Sequence, residues 1–256
     1  MYRIMFIAIF TAITIGCLAG NTRESKSIDG ADRLKSIEAA GQWTINLIQS
    51  TKPSIKVEYP NTFGDKIVAE VRPDGTLYLG FKKNIVGSTR KQPFVATVYV
   101  PNIDEIRLSG AADIKSSGNF EGNSCTIKLQ GASDVKNFNF EGKELYVSLS
   151  GSSDCSVKGN VNTVKLSLSG SSDFEMNGKG SVVNVVASGS SDVKMSDFHT
   201  ETLQVSISGS SDMSITIGQK AIGTLSGASS LRYRGDADIS GIKTSGSSEV
   251  IKLNSR

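Results

Sequence analysis

The sequence predicts an all-β protein, a right-handed parallel β-helix (β-solenoid) of about 19–20 residues per coil with a less regular N-terminal β segment. Three observations predict it. A Leu-Ser-Gly-Ser-Ser-Asp unit recurs from residue 108 onward, with its glycine at Gly110, Gly131, Gly151, Gly170, Gly189, Gly209, Gly227 and Gly246, at intervals of 18 to 21 residues. The positions four and two before each glycine and four after it are almost all apolar, with mostly polar residues between them. That is the two-residue period of strands with one buried face. No unit carries the i, i+3, i+4 apolar spacing of a helix, and Gly-Ser-Ser-Asp punctuates each one.

In chain order, Met1 to Cys17 reads as a lipoprotein-type signal peptide. Arg3 supplies a short positive start, and Ile4 to Ile15 is apolar but for Thr11 and Thr14. The stretch is too short for a bilayer span of about 20 residues. It ends in Thr14-Ile15-Gly16-Cys17, which resembles a lipobox, so Cys17 is the expected lipidation site. Residues 18–32 are polar and turn-rich and read as a flexible tether. Residues 33–107 read as an N-terminal β segment, either early coils or a cap on the apolar end that a solenoid must cover. Its candidate strands are 37–49, 54–59, 66–71, 76–81 and 93–100. Turn signals separate them at Tyr59-Pro60-Asn61, Arg72-Pro73-Asp74-Gly75 and Lys82-Lys83-Asn84. Trp43, Tyr59, Tyr78 and Phe81 offer bulk for a cap, or an exposed aromatic platform for sugars.

Residues 108–253 form the regular repeats. The position four after glycine is Ile114, Val135, Cys155, Phe174, Val193, Met213, Leu231 and Val250, apolar throughout. The position three before it, from Arg107 and Lys128 through Val186 to Lys243, is mostly polar and expected at the surface. A propeller blade needs about 40 residues. A left-handed hexapeptide helix keeps a strict period, which these intervals do not. Coils stacked at about 4.8 Å make eight of them a rod of roughly 40 Å. Cys125 and Cys155 fall in apolar columns of different phase and read as buried hydrophobes without a disulfide.

Three positions after glycine stand Asp113, Asp134, Asp154, Asp173, Asp192 and Asp212, then Ser230 and Glu249. Stacked in register, the carboxylates lie about 5 Å apart, and each adjacent pair repels by about 1 kcal/mol in water. Turn chemistry, with Asp accepting backbone N–H groups and Ser hydroxyls, offsets this most simply. A row of hard oxygen ligands also suits Ca²⁺, and a Ser/Asp edge suits a sugar or peptide. The Asp column is therefore the candidate cation or ligand edge. Serines recur one before and two after the glycine, as a structural hydroxyl ladder or a glycan-binding face.

Composition narrows the function. The chain of 256 residues carries 28 Lys+Arg against 25 Asp+Glu, and its longest basic cluster is Lys82-Lys83, so no nucleic-acid partner is expected. One His and three Cys leave little for a His/Cys metal centre, and no cofactor is expected beyond Ca²⁺. No nucleophile elbow or Walker-type loop is present, and His199 reads as an isolated loop residue.

The order of motifs Gly41-Gln42-Trp43-Thr44-Ile45-Asn46-Leu47, Ile55-Lys56-Val57-Glu58-Tyr59-Pro60, Asp74-Gly75-Thr76-Leu77-Tyr78-Leu79, Val98-Tyr99-Val100-Pro101 and Leu108-Ser109-Gly110 resembles the "putative auto-transporter adhesin, head GIN domain" family of bacterial envelope proteins, over about residues 35–253. The resemblance implies a β-helical fold and an exported, often lipid-anchored protein, and it carries over no catalytic residue. The expectation is a non-enzymatic protein of the cell envelope, an outer membrane lipoprotein, held to the membrane through its lipid and presenting a rigid surface for binding or adhesion. Its partner would be a glycan or an envelope or host protein. The alternatives are an envelope enzyme that degrades polysaccharide, which would need long insertions on one face, and a self-associating module that packs through exposed residues such as Val186 into a homo-oligomer.

Overall fold

The computed structural model describes residues 22–82 and 93–254. Met1 to Cys17, with the lipidation site Cys17, lies outside the described residues, as do Lys83 and Asn84 of one expected turn.

The repeats build a parallel β-solenoid. β8 (Glu105–Gly110) and β9 (Asp113–Ser117) form one coil. Each following coil is one long, bent strand: β10 (Asn119–Gly131), β11 (Asp134–Gly151), β12 (Asp154–Leu168), β13 (Asp173–Ala187), β14 (Asp192–Ile207) and β15 (Asp212–Leu225). β16 (Ser230–Arg234), β17 (Asp238–Thr244) and β18 (Glu249–Lys252) close the stack. Successive coils pair in parallel, with repeat position on repeat position: Leu129 on Leu149 on Leu168 on Ala187 on Ile207. Unequal coil lengths are absorbed at register shifts beside Val135/Phe138, Glu175/Gly178 and Met195/His199. The first contains Asn137, at φ 59° the non-glycine residue with positive φ among those described. That is the backbone mark of a bulge, and Asn tolerates it better than most residues.

Alternation explains the winding. Inward residues pack into one continuous core, and the position four before glycine is buried from Ile106 to Val205. Near the start of the regular stack the core holds Phe120, Phe138 and Phe140, their rings stacked at 5.3 and 6.2 Å. Arg107, Lys128, Ser148, Ser167, Val186, Ser206, Thr224 and Lys243 are all exposed, as their column predicts. Cys125 and Cys155 are buried, free thiols. Burial pushes the Cys125 thiol up to about 12 and raises that of Cys155 as well. Both thus stay protonated and unreactive at neutral pH.

The N-terminal segment supplies a coil and a cap together. β2 (Ser36–Gly41) pairs in parallel with both β8 and β6 (Thr76–Phe81). β3 (Trp43–Gln49) pairs in parallel with both β9 and β7 (Phe94–Val100). The β2–β3 coil is therefore interleaved between the β6–β7 coil and the first regular coil, out of chain order. Outside it lie antiparallel strands, β5 (Ile67–Val71) on β6 and β4 (Ser54–Pro60) on β7. β1 (Arg23–Ser27) pairs antiparallel with β4 at the edge.

Three expectations change here. Residues 23–27 of the expected tether form a strand, because the edge of β4 offers unpaired backbone groups, and Ile28 behind them is buried. The strand expected over 37–49 breaks at Gln42, since Gly41 turns the chain at φ 100°. The exposed aromatic platform is absent at Trp43, which is 1% exposed. Its ring packs against Phe81 at 5.8 Å and Phe94 at 5.5 Å, and Phe63 meets Phe94 edge-on at 5.3 Å.

Candidate functional site

Each repeat turns a corner at Gly-Ser-Ser-Asp. Gly170 stands for the column: φ is 81°, and an added Cβ would lie 2.5 Å from the carbonyl oxygen of Gly151 in the coil beneath. The left-handed backbone and the close approach both require glycine. The serine two places on is fully buried. Ser172 Oγ donates to the carbonyl of Ser169 at 3.0 Å, and Ser153, Ser191 and Ser229 make the same bond to Ser150, Ser188 and Ser226. This serine column closes the corner from inside and is out of reach of a ligand. The serines one place either side of Gly170, Ser169 and Ser171, are exposed instead.

The Asp column is a true ladder. Asp113, Asp134, Asp154, Asp173, Asp192 and Asp212 stand opposite one another in successive coils. What offsets their repulsion is mostly a basic residue two positions along the same outward face. Lys136 lies 3.0 Å from Asp134, Lys194 lies 2.9 Å from Asp173 and 3.7 Å from Asp192, and Arg232 lies 3.8 Å from Asp212. The carboxylates also accept from the next coil: Asp154 N–H donates to Asp134 Oδ1 at 3.3 Å, and the Ser230 hydroxyl donates to Asp212. The bonds expected within one turn thus run between coils. Asp113 and Asp154 have no cation within ion-pair distance among the described residues. Partial burial, and then their Asp neighbours, raise both carboxyls above the usual range. Asp154 and Asp173, with Lys136, Glu175 and Lys194, line a shallow depression of about 320 Å³. Among the described residues no group of three or more His, Cys, Asp or Glu is placed to hold a metal ion.

A second surface, of which the sequence singled out only Val186, lies on the sheet face before the glycine. There an open depression of about 450 Å³ is lined by Lys128, Tyr146, Ser148, Lys165, Asn184 and Val186. Tyr146 is 38% exposed and Val186 56%, and the Lys165 ammonium sits 4.5 Å from the Tyr146 ring centroid. The polar column three before glycine hid this site, because Tyr146 stands in the neighbouring column. Registering both columns together would have found it. No helix among the described residues is long and apolar enough to cross a membrane.

Solved structures share this architecture. A protein from Parabacteroides merdae described as a "putative adhesin" matches with a TM-score of 0.82 at 18% identity, over 92% of this chain and 97% of that one. A "putative lipid binding protein" from Parabacteroides distasonis matches with a TM-score of 0.82 at 22% identity, over 92% and 98%. A second P. distasonis protein, a "putative adhesin", matches with a TM-score of 0.75 at 18% identity, over 91% and 98%. At these identities the likeness is one of fold. No curated protein matches the sequence. The family model described as "Putative auto-transporter adhesin, head GIN domain" matches residues 33–237. With the fold, the Gly and Asp ladders and that match in agreement, the chain belongs to the auto-transporter adhesin, head GIN domain family.

Proposed function

We propose that this protein is an exported, lipid-anchored protein of the cell envelope, an outer membrane lipoprotein, that presents its solenoid as a rigid, non-catalytic surface for binding or adhesion. The observation that carries the reading is the uninterrupted ladder. Through the regular repeats every coil repeats the last to within three residues, and from Asp113 to Asp212 one carboxylate per coil lines the corner, four of the six beside a cation. An active site for polysaccharide cleavage needs an irregular cluster, such as two facing carboxylates at a set separation. The ladder instead repeats the same polar chemistry along its whole length, which suits a partner contacted at many points, a glycan or an envelope or host protein. The Asp column is the edge offered to that partner. Its existing ion pairs leave little call for Ca²⁺, so millimolar Ca²⁺ is expected to leave the melting temperature where EDTA sets it.

The lipid anchor rests on Cys17 after a short apolar leader. The test has two arms. Cells making the protein and its Cys17→Ser variant are labelled with palmitate and fractionated. Label and envelope-membrane association are expected for the first and lost in the second. Beads coated with the protein are then offered glycan arrays and envelope extracts, with polysaccharide turnover assayed alongside. Saturable binding without turnover supports the reading. Release of reducing sugar, or a freely secreted wild-type protein without lipid, overturns it.

A further inference from the structure

The exposed face before the glycine column is self-complementary. On that face, residues at the same height along the strand form columns through the stack. One column runs Tyr146, Lys165, Asn184, Gln204, Ile222, and a second runs Glu144, Thr163, Val182, Thr202, Lys220. Val186 lies two residues along the strand from Asn184, on the middle coil. Tyr146 and Ile222 thus stand two coils to either side of Val186, each about 10 Å away along the stack. Glu144 and Lys220 stand two coils to either side as well.

We propose that this face is a dimer interface between two copies of the chain, packed sheet on sheet about a two-fold axis that runs parallel to the strands through the coil of Val186. Such an axis keeps each residue's height along the strand and reverses the order of the coils. It sets Val186 on Val186 of the second copy and Tyr146 on Ile222. It also sets Glu144 on Lys220, twice, because a two-fold contact is isologous. Apolar contacts fall at and near the centre and opposite charges at the margin, the anatomy of a protein interface. One like-charge meeting remains, Lys128 on Lys243 at the outer rim, where Glu105 lies 3.5 Å from Lys128 and offsets it.

The size suffices. Six residues of strand by six coil steps make a face about 20 Å by about 30 Å, or about 600 Å² before side-chain relief. A standard interface uses about 800 Å² per partner, so the dimer belongs at the small, reversible end. The face that carries the Asp ladder is a poorer candidate, since a two-fold contact there would set Asp column against Asp column. The inference does not rest on the adhesive role proposed above.

The test is the mass of the full chain, purified in mild detergent, over about 1 µM to about 1 mM. The mass should double with concentration. Val186→Asp should abolish the doubling, and circular dichroism should show that variant folded. Glu144→Lys and Lys220→Glu should each raise the dissociation constant about tenfold or more, and the double reversal should restore it. A thiol cross-linker that spans about 10 Å, the distance between packed sheets, should join two copies of Val186→Cys and not two copies of the wild type, whose Cys125 and Cys155 are buried and whose Cys17 the variant shares. A monomer at every concentration overturns the proposal and leaves the face to another protein or a glycan. A dimer indifferent to both Val186→Asp and the charge reversals overturns it too.

Discussion

At the scale of single residues, the corner is where the fold tolerates least. Gly170→Ala would force a side chain into left-handed backbone and against the Gly151 carbonyl. The expected cost is about 2 kcal/mol or more, read as a drop in the denaturation midpoint. Ser172→Ala removes the buried hydroxyl that donates to the Ser169 carbonyl and should cost about 1 kcal/mol. Asp154 behaves oppositely. The fold raises its carboxyl, so the ionised form is the one the fold disfavours. That destabilisation is absent below the ordinary carboxylate range, grows as pH rises through the raised value, and is complete at neutral pH. Asp154→Asn should therefore raise the melting temperature by about 1–2 °C at pH 7 and leave it unchanged below about pH 3. Melts of both proteins across that range decide it, and a gain that persists at low pH refutes the assignment.

At the scale of elements, the cap and the coils are held by different means. A regular coil is fixed by neighbours of its own kind, whereas the outer coil depends on the aromatic cluster around Phe94, which is fully buried. Phe94→Ala should cost about 3–5 kcal/mol, measured by denaturant unfolding, because three rings lose their common partner. The same contrast decides what the sequence reveals. The coils are legible because their chemistry recurs: an inward apolar pair, a left-handed glycine and an outward Asp identify each one. The same frame even fits the interleaved coil, where Ile37, Ala39, Gly41 and Ile45 stand at the four diagnostic positions, but Thr44 replaces the Asp and masks it. The antiparallel strands are legible as strands and not as pairings. Nothing local in Arg23–Ser27 says that its partner is Ser54–Pro60, and the polar composition that reads as a tether is what an edge strand in water also needs. The Asp column could be found from sequence, but its ion pairs could not. Lys136, Lys194 and Arg232 share one repeat position that Ser156 and Glu175 also occupy, so no column of charge appears.

At the scale of the whole molecule, stability should be graded along the stack, since each coil touches only its neighbours. The described end at β17 and β18 is covered on one side, and Ile239, Ile242 and Val250 there are only partly buried. The opposite end is closed by the cap. Native-state hydrogen exchange should be slowest in β11 to β14 and fastest in β17 and β18, with intermediate rates at the edge strand β1. Equal protection from end to end would mean the rod opens as one unit, and the nearest-neighbour account would fail.

The interleaved coil also sets a schedule for making the molecule. During synthesis, β2 and β3 emerge early, but β2 gains a lateral partner only when β6 ends at residue 81 and β3 only when β7 ends at residue 100. Up to that point the growing polypeptide has no complete platform on which to wind. From then on each newly delivered coil meets a finished template beneath it and can lock on at once. Winding is thus seeded late and then proceeds in one direction, a ratchet that could draw an exported chain forward as it folds.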